Sequence, residues 1–124
     1  MGRRQRRRGR QAGAEAPQRP QAPPADYTDE EGNVLTLRGA LSPATRRRYL
    51  ETLQAGGVRE DAWQRAAELL FEHLAAGWTV AGVRTEGPGE LLARYRVADQ
   101  RERRFVREAL RRHLAEHFPE LPAP

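Results

Sequence analysis

Large apolar residues are confined to one part of the 124-residue chain, and this division limits the fold more than any other feature. After Met1, residues 1–25 contain none of them. Such a segment cannot bury enough surface to offset the entropy cost of ordering it. We therefore expect a disordered N-terminal tail over residues 1–25 and a single helical domain over residues 26–124. The tail joins an arginine cluster, residues 3–10, to a spacer rich in proline and glutamine.

Charge is divided just as unevenly. All 22 basic residues are arginine, and the formal net charge is +5. Residues 1–25 contain seven arginines and one acid, a net charge of +6, whereas residues 26–124 contain fifteen arginines and sixteen acids, a net charge of −1. The expected domain is therefore close to neutral, and the excess positive charge lies in the tail. This pattern indicates a polyanionic partner.

The composition excludes several kinds of chemistry. The chain has no cysteine, which rules out disulfides, zinc–thiolate sites and thiol catalysis. No stretch approaches the roughly 18 consecutive apolar residues that a membrane span needs. Residues 11–24 also lack the apolar segment of a signal peptide. We therefore predict a cytoplasmic protein with no membrane association and no cofactor.

Two short strands come first in the expected domain. Residues 27–29 and 34–37 flank an acidic turn that ends in Gly32-Asn33. This arrangement predicts a β-hairpin. Since two strands alone are marginally stable in water, the hairpin must pack on helices.

Four helices are expected after the hairpin. Ser42 suits an N-cap and Pro43 the first helical position, so the first helix begins there and ends at residues 56–57. From Trp63 onward, apolar residues recur at helical spacing. This periodicity predicts one long central helix over residues 60–81.

The third helix has a weak sequence signal, and the fourth has a strong one. A loop over residues 82–89 precedes a short helix around Tyr95, and Asp99 with Glu102 forms a capping box that begins the final helix. Pro119 ends that helix. The predicted fold is therefore mainly α: a four-helix domain with a small N-terminal β-hairpin and a disordered N-terminal tail.

One motif suggests metal chemistry. Residues 113–117 match the H-x-x-E-H signature of inverted zinc peptidases, in which two histidines share a helix face. A catalytic zinc needs a third protein ligand, which the motif does not supply. His113 and His117 also fall inside the apolar arc of the last helix. We interpret them as core-boundary histidines and predict no catalytic residue and no metal site, with this pair as weak metal candidates.

Arginine supplies the candidate binding residues. The tail cluster would neutralise several phosphates and give salt-dependent, sequence-tolerant binding. On the last helix, three arginines share one stripe, for which an ordinary solvated face is the alternative explanation. The predicted nucleic-acid-binding residues are Arg3, Arg4, Arg6, Arg7, Arg8, Arg10, Arg104, Arg107 and Arg111.

Four stretches of the chain carry a resemblance: DEEGNVLTLRGALSPATRRRYLETL, EDAWQRAAELLFEHLA, ELLARYRVA and RERRFVREALRRHLAEHFPEL. Through them, the part of the chain from about residue 26 to 121 resembles a small family of uncharacterised proteins from high-G+C bacteria. The lack of lysine and isoleucine fits such a genome. The resemblance implies no activity or cofactor.

Two functions are consistent with these features. The first is a non-enzymatic binding module that associates with nucleic acid, or another polyanion, through its arginine-rich tail. The alternative is a protein–protein adaptor domain of unknown partner, in which the tail is incidental. A metal-dependent hydrolase built on His113 and His117 is disfavoured by the missing third ligand.

Overall fold

The computed structural model describes residues 22–55 and 59–124. The arginines predicted to bind nucleic acid between Arg3 and Arg10 therefore lie outside the described residues. Along the described chain the elements are β1 (Ala22–Thr28), β2 (Val34–Gly39), α1 (Pro43–Gln54), α2 (Arg59–Leu74), β3 (Ala75–Val80), β4 (Val83–Thr85), α3 (Pro88–Arg96) and α4 (Gln100–His117).

The four strands form one antiparallel sheet in the order β1-β2-β3-β4. Leu35 on β2 pairs with Tyr27 on one side and with Trp78 on the other, and all three side chains are buried. Asp26 and Arg84, at positions that face the opposite way, are exposed. The alternation is that of a sheet with one covered face and one solvated face.

The helices cover the buried face of the sheet. α4 packs against β1 and β2, α2 against β2 and β3, and α3 against β3 and β4, while α1 packs on α2. Leu70, Leu110 and Leu114 bring the helices into a core shared with the strands. Within the two described ranges, no helix is long and apolar enough to cross a membrane.

Local signals in the sequence define several element ends as predicted. The hairpin is confirmed, with its strands running further than expected. Ser42 Oγ accepts a hydrogen bond from Thr45 N at 3.1 Å and caps α1. Asp99 and Glu102 form the predicted capping box, with backbone-to-carboxylate distances of 2.8 and 3.0 Å. Both caps accept hydrogen bonds from backbone N–H groups of the first helical turn, which have no partner within the helix. They therefore fix where the helix begins, independently of what the helix packs against.

The predicted mainly α fold is wrong, because the described residues pair four helices with a four-stranded antiparallel sheet. The error lies in the expected central helix over residues 60–81. α2 ends at Leu74, and the chain continues without a loop into β3. Trp78, expected on the apolar face of a helix, lies on the buried face of the sheet instead.

The physical cause is that the apolar residues of this segment fit either one long helix or a helix followed by a strand. Leu70, Leu74 and Trp78 are four residues apart, which is helical spacing, yet Thr79 and Val80 are β-branched and favour a strand. Gly77 is also unfavourable in a helix interior, where glycine costs about 1 kcal/mol relative to alanine. Pairing with β2 satisfies backbone groups that a two-stranded hairpin would leave exposed.

Three smaller boundaries also differ from the predictions. Ala22 to Ala25, assigned to the tail, form the first half of β1. Val83–Thr85, assigned to the loop over residues 82–89, form the edge strand β4. α1 ends at Gln54, and the glycines at residues 56–57 that were expected to end it lie outside the described residues.

The β3–β4 turn offers a simple test of the sheet. Ala81 and Gly82 connect the paired residues Val80 and Val83, and both have positive φ, 51° and 79°. A type I′ turn requires this conformation, which is costly for alanine. We expect Ala81→Gly to raise the free energy of unfolding by about 0.5–1 kcal/mol in urea denaturation. The matched control is Ala93→Gly within α3, which should lower it by about 1 kcal/mol. A loss of stability in both variants would contradict the turn.

Candidate nucleic-acid interface

The candidate interface is built on α4, whose sequence sets the direction of its arginines. At 100° per residue, Arg104, Arg107 and Arg111 fall within an arc of about 60°. On the same wheel the fully buried Val106 lies about 100–160° from all three arginines, whereas the fully buried Leu110 lies about 60° from Arg107. The core contacts therefore fix the rotation of α4 and turn the arginine stripe outward.

The structure brings the three predicted arginines of α4 together in one groove between α4 and the first turns of α2. The groove has a volume of about 690 Å³. Its lining residues are Glu60, Gln64, Ala98, Gln100, Arg103, Arg104, Arg107, Glu108 and Arg111.

The lining of this groove has an excess of positive charge. Four guanidinium groups face two carboxylates, Glu60 and Glu108, which leaves a formal charge of +2. Among the described residues, Arg104 and Arg107 make no ion pair and no side-chain hydrogen bond. Arg111 Nε donates to the Pro124 carbonyl at 3.2 Å. The groove therefore presents guanidinium N–H groups that are free to bind an anion.

Arg103 belongs to the groove and was missed by the sequence reasoning. Its Nε donates to the Ala98 carbonyl at 3.1 Å and its Nη2 to the Arg96 carbonyl at 2.8 Å. Its guanidinium carbon also lies 5.6 Å from the centre of the Tyr95 ring. The spacing Arg103, Arg107, Arg111 is i, i+4, i+8, so the signal was present in the sequence as a second row of the same stripe.

Two other arginines of α4 lie apart from the groove. Arg101 forms an ion pair with Glu31 of the hairpin turn, Nη1 to Oε2 at 3.0 Å. The guanidinium of Arg112 lies 5.2 Å from the centre of the Tyr27 ring on β1. Both residues line a second groove of about 780 Å³ beside the hairpin, in which carboxylates outnumber arginines. Arg104 and Glu108 line both grooves, so Arg104 lies at the edge that the grooves share, and the excess of positive charge is on the α2 side.

The histidine motif has a structural explanation. His113 is fully buried, its Nδ1 lies 2.8 Å from Tyr27 Oη, and its Nε2 lies 2.7 Å from the Arg38 carbonyl. Because a carbonyl only accepts, Nε2 carries the proton and donates it, and Nδ1 accepts from the tyrosine hydroxyl. Burial lowers the pKa of His113, and the Arg38 carbonyl partly opposes this shift. His113 thus ties α4 to both strands of the hairpin as a neutral side chain.

His117, the second histidine of the motif, is half-buried, and its ring lies beside that of His113, tilted by 46° with ring centres 4.6 Å apart. Its Nε2 lies 3.7 Å from a carboxylate oxygen of Glu116. Over the described part of the chain, no three or more histidine, cysteine, aspartate or glutamate side chains are grouped so that they could hold a metal ion. The pair therefore has no third ligand in this part of the fold, and both nitrogens of His113 are already engaged.

Comparison of the chain with protein-family models, with curated proteins and with solved structures finds no match. The resemblance to proteins of high-G+C bacteria stays a prediction. The function must therefore be argued from the site itself.

Proposed function

We propose that this protein is a non-enzymatic binding module that associates with the phosphate backbone of nucleic acid through two sets of arginines. One set is the cluster from Arg3 to Arg10. The other is the α4 groove. The observation that supports the proposal most directly is that Arg103, Arg104, Arg107 and Arg111 line one groove with an excess of positive charge.

The chemistry of arginine favours phosphate as the ligand. A guanidinium group presents its N–H donors in a planar fork that matches two phosphate oxygens, and it remains charged at all relevant pH values. Contacts of this kind neutralise backbone charge and release counterions, and they carry little sequence information. The module is therefore a sequence-tolerant binder.

The solvated face of the sheet does not add a base-stacking platform to this site. Its positions include Asp26, Thr36, Thr79 and Arg84, whereas Tyr27 and Trp78 are buried on the other face. Single-strand platforms stack bases on exposed aromatic rings. The proposed binding is therefore directed at the backbone.

The adaptor alternative has little specific support on the described surface. Leu50, Val83 and Val97 are its exposed large apolar side chains. Single exposed apolar residues are ordinary on proteins that have no partner at that place. The adaptor role becomes the better explanation only if nucleic acid fails to bind.

The test is a fluorescence anisotropy titration of a labelled, random-sequence 30-base-pair DNA at low salt. We expect the groove variant Arg104→Gln/Arg107→Gln/Arg111→Gln to bind on the order of 10-fold more weakly than the unmodified chain. Replacing the six arginines from Arg3 to Arg10 with glutamine should weaken binding at least as much.

The matched control removes three charges elsewhere. Arg47, Arg48 and Arg65 are exposed on α1 and α2 and form no ion pair within the described ranges. The triple glutamine variant at these positions should bind within about 3-fold of the unmodified chain. Absence of binding at low salt, or equal losses in the groove and control variants, would refute the proposal.

A further inference from the structure

The arginine stripe of α4 is unfavourable for the helix that carries it. Arg103, Arg107 and Arg111 are spaced at i, i+4 and i+8, and like charges at this spacing repel each other. Neighbouring arginines of α3 are neutralised, since Arg94 pairs with Glu102 at 2.8 Å and Arg96 with Glu68 at 2.7 Å. The groove thus has an excess of positive charge, whereas the arginines of α3 are balanced by carboxylates.

One guanidinium in the groove is held in place before any ligand arrives. Arg103 makes two hydrogen bonds to backbone carbonyls and lies beside the Tyr95 ring. Two of its five N–H donors are used, which leaves three for a ligand. A donor fixed in this way loses little side-chain entropy on binding.

Tyr95 does not line the groove, but its ring lies beside Arg103 at the edge of the groove. Its ring is buried and stacks on Phe71, with centres 4.8 Å apart, which fixes the side chain. The Tyr95 hydroxyl makes no hydrogen bond within the described residues. Among those residues, Trp78 Nε1 is the only fully buried side-chain nitrogen or oxygen without a partner. The Tyr95 hydroxyl is therefore not fully buried. Burial raises its pKa, the charges of Arg103 and Arg107 lower it, and the charge of Glu68, which pairs with Arg96, raises it.

We propose that Arg103 and Arg107 form a discrete phosphate-binding subsite in the α2–α4 groove, with the Tyr95 hydroxyl at its edge. The inference rests on the proposed function, because this subsite would hold one phosphate of the bound nucleic acid. Arg107 supplies the unpaired guanidinium fork, Arg103 the prefixed N–H donors, and Tyr95 a neutral O–H donor. Gln64 and Gln100 line the same groove and offer amide groups to the atoms next to the phosphate.

The chemistry that recognises a phosphate in this subsite is common to an internal phosphodiester and a terminal phosphomonoester. A phosphomonoester carries more charge, so it should bind more tightly if the subsite closes around one end of a chain. A groove of about 690 Å³ is within the usual size of a site for a nucleotide-sized ligand.

The experiment measures the full-length protein by isothermal titration calorimetry with inorganic phosphate at constant ionic strength, with chloride as the reference anion. We expect one phosphate per chain. Arg107→Gln should weaken phosphate binding on the order of 10-fold and Tyr95→Phe about 5-fold. The matched control Arg47→Gln removes the same charge from the exposed surface of α1, outside the groove, and should change the affinity less than about 3-fold.

Thermal melting separates a binding role from a structural one. Because Arg107→Gln relieves repulsion within α4, this variant should melt at the same temperature as the unmodified chain or higher. Titration with a dinucleotide bearing a 5′-phosphate or a 5′-hydroxyl then distinguishes the terminal from the internal source of the phosphate.

Each outcome decides one of the two proposals. Equal responses to phosphate and chloride, or equal losses in Arg47→Gln and Arg107→Gln, would overturn the subsite even if DNA binding is salt-dependent. Stoichiometric phosphate binding without DNA binding would support the subsite and overturn the nucleic-acid function.

Discussion

Replacing Trp78 with alanine should lower the free energy of unfolding by about 3–5 kcal/mol. Trp78 is 1% exposed and fills the junction between β3 and the helices, with its ring centre 5.8 Å from that of Phe71. The guanidinium of Arg94 lies 5.0 Å from the Trp78 ring. The substitution leaves a large cavity and removes both aromatic contacts, and urea denaturation monitored by circular dichroism measures the loss.

Trp63 is the matched control, because the periodicity of residues 60–81 places both tryptophans on the apolar face of one helix. In the structure Trp63 is half-buried and is not part of the main apolar cluster. Trp63→Ala should cost about 1–2 kcal/mol, well below the cost at Trp78. Equal losses at the two positions would favour the single long helix over the helix–strand junction.

The second large effect is expected at His113. His113→Ala should cost about 2–4 kcal/mol, since it opens a cavity and leaves the Tyr27 hydroxyl and the Arg38 carbonyl without their partner. His113→Gln, which retains one donor and one acceptor, should cost less. Equal stability of the alanine and glutamine variants would show that the two hydrogen bonds contribute little.

His113 also predicts the direction of a pH effect. Its pKa is lowered in the folded state, so the unfolded chain takes up the proton first as the pH falls below about 6.5. Stability should be independent of His113 above that value and decline from there down to the folded-state pKa. The environment of the ring includes the positive charge of a protonated His117 and the negative charge of Glu116, which oppose each other. Urea denaturation at pH 7.5 and 5.5 should show a decline that is smaller in His113→Gln.

Features that depend on a few adjacent residues could be predicted from the sequence. The caps at Ser42 and Asp99 act through a hydroxyl or carboxylate that bonds to the backbone three residues away. The hairpin depends on its turn, where Asp29 accepts hydrogen bonds from the backbone of Glu31 and Asn33. Such contacts form whatever packs around them.

The α2–β3 junction could not be predicted in this way, because its cause is remote in the sequence. Residues 75–80 are a strand because β2 supplies one row of partners and β4 the other. Gly77 pairs with Thr36 of β2, and the guanidinium of Arg84 from β4 lies beside it. Hydrophobic periodicity indicates which residues are buried, but it does not indicate which helices or strands cover them.

The candidate site could be predicted only in part, because some of its residues depend on contacts that are remote in the sequence. A stripe such as Arg104, Arg107 and Arg111 follows from helical geometry alone. Whether Arg103 and Tyr95 belong to the site depends on how α3 packs against α4. This packing brings Arg103 to the Ala98 and Arg96 carbonyls. The role of His113 likewise depends on two strands more than 70 residues away in the chain.

The central claim is that the α4 groove neutralises phosphates, and the salt dependence of DNA binding tests it most directly. The measurement is the slope of log K against log salt for random-sequence duplex DNA, with the unmodified chain and with Arg104→Gln/Arg107→Gln/Arg111→Gln. If the three arginines each neutralise one phosphate, the slope of the variant should be shallower by about 2–3. Parallel slopes for the two proteins would contradict the claim that the groove binds the backbone.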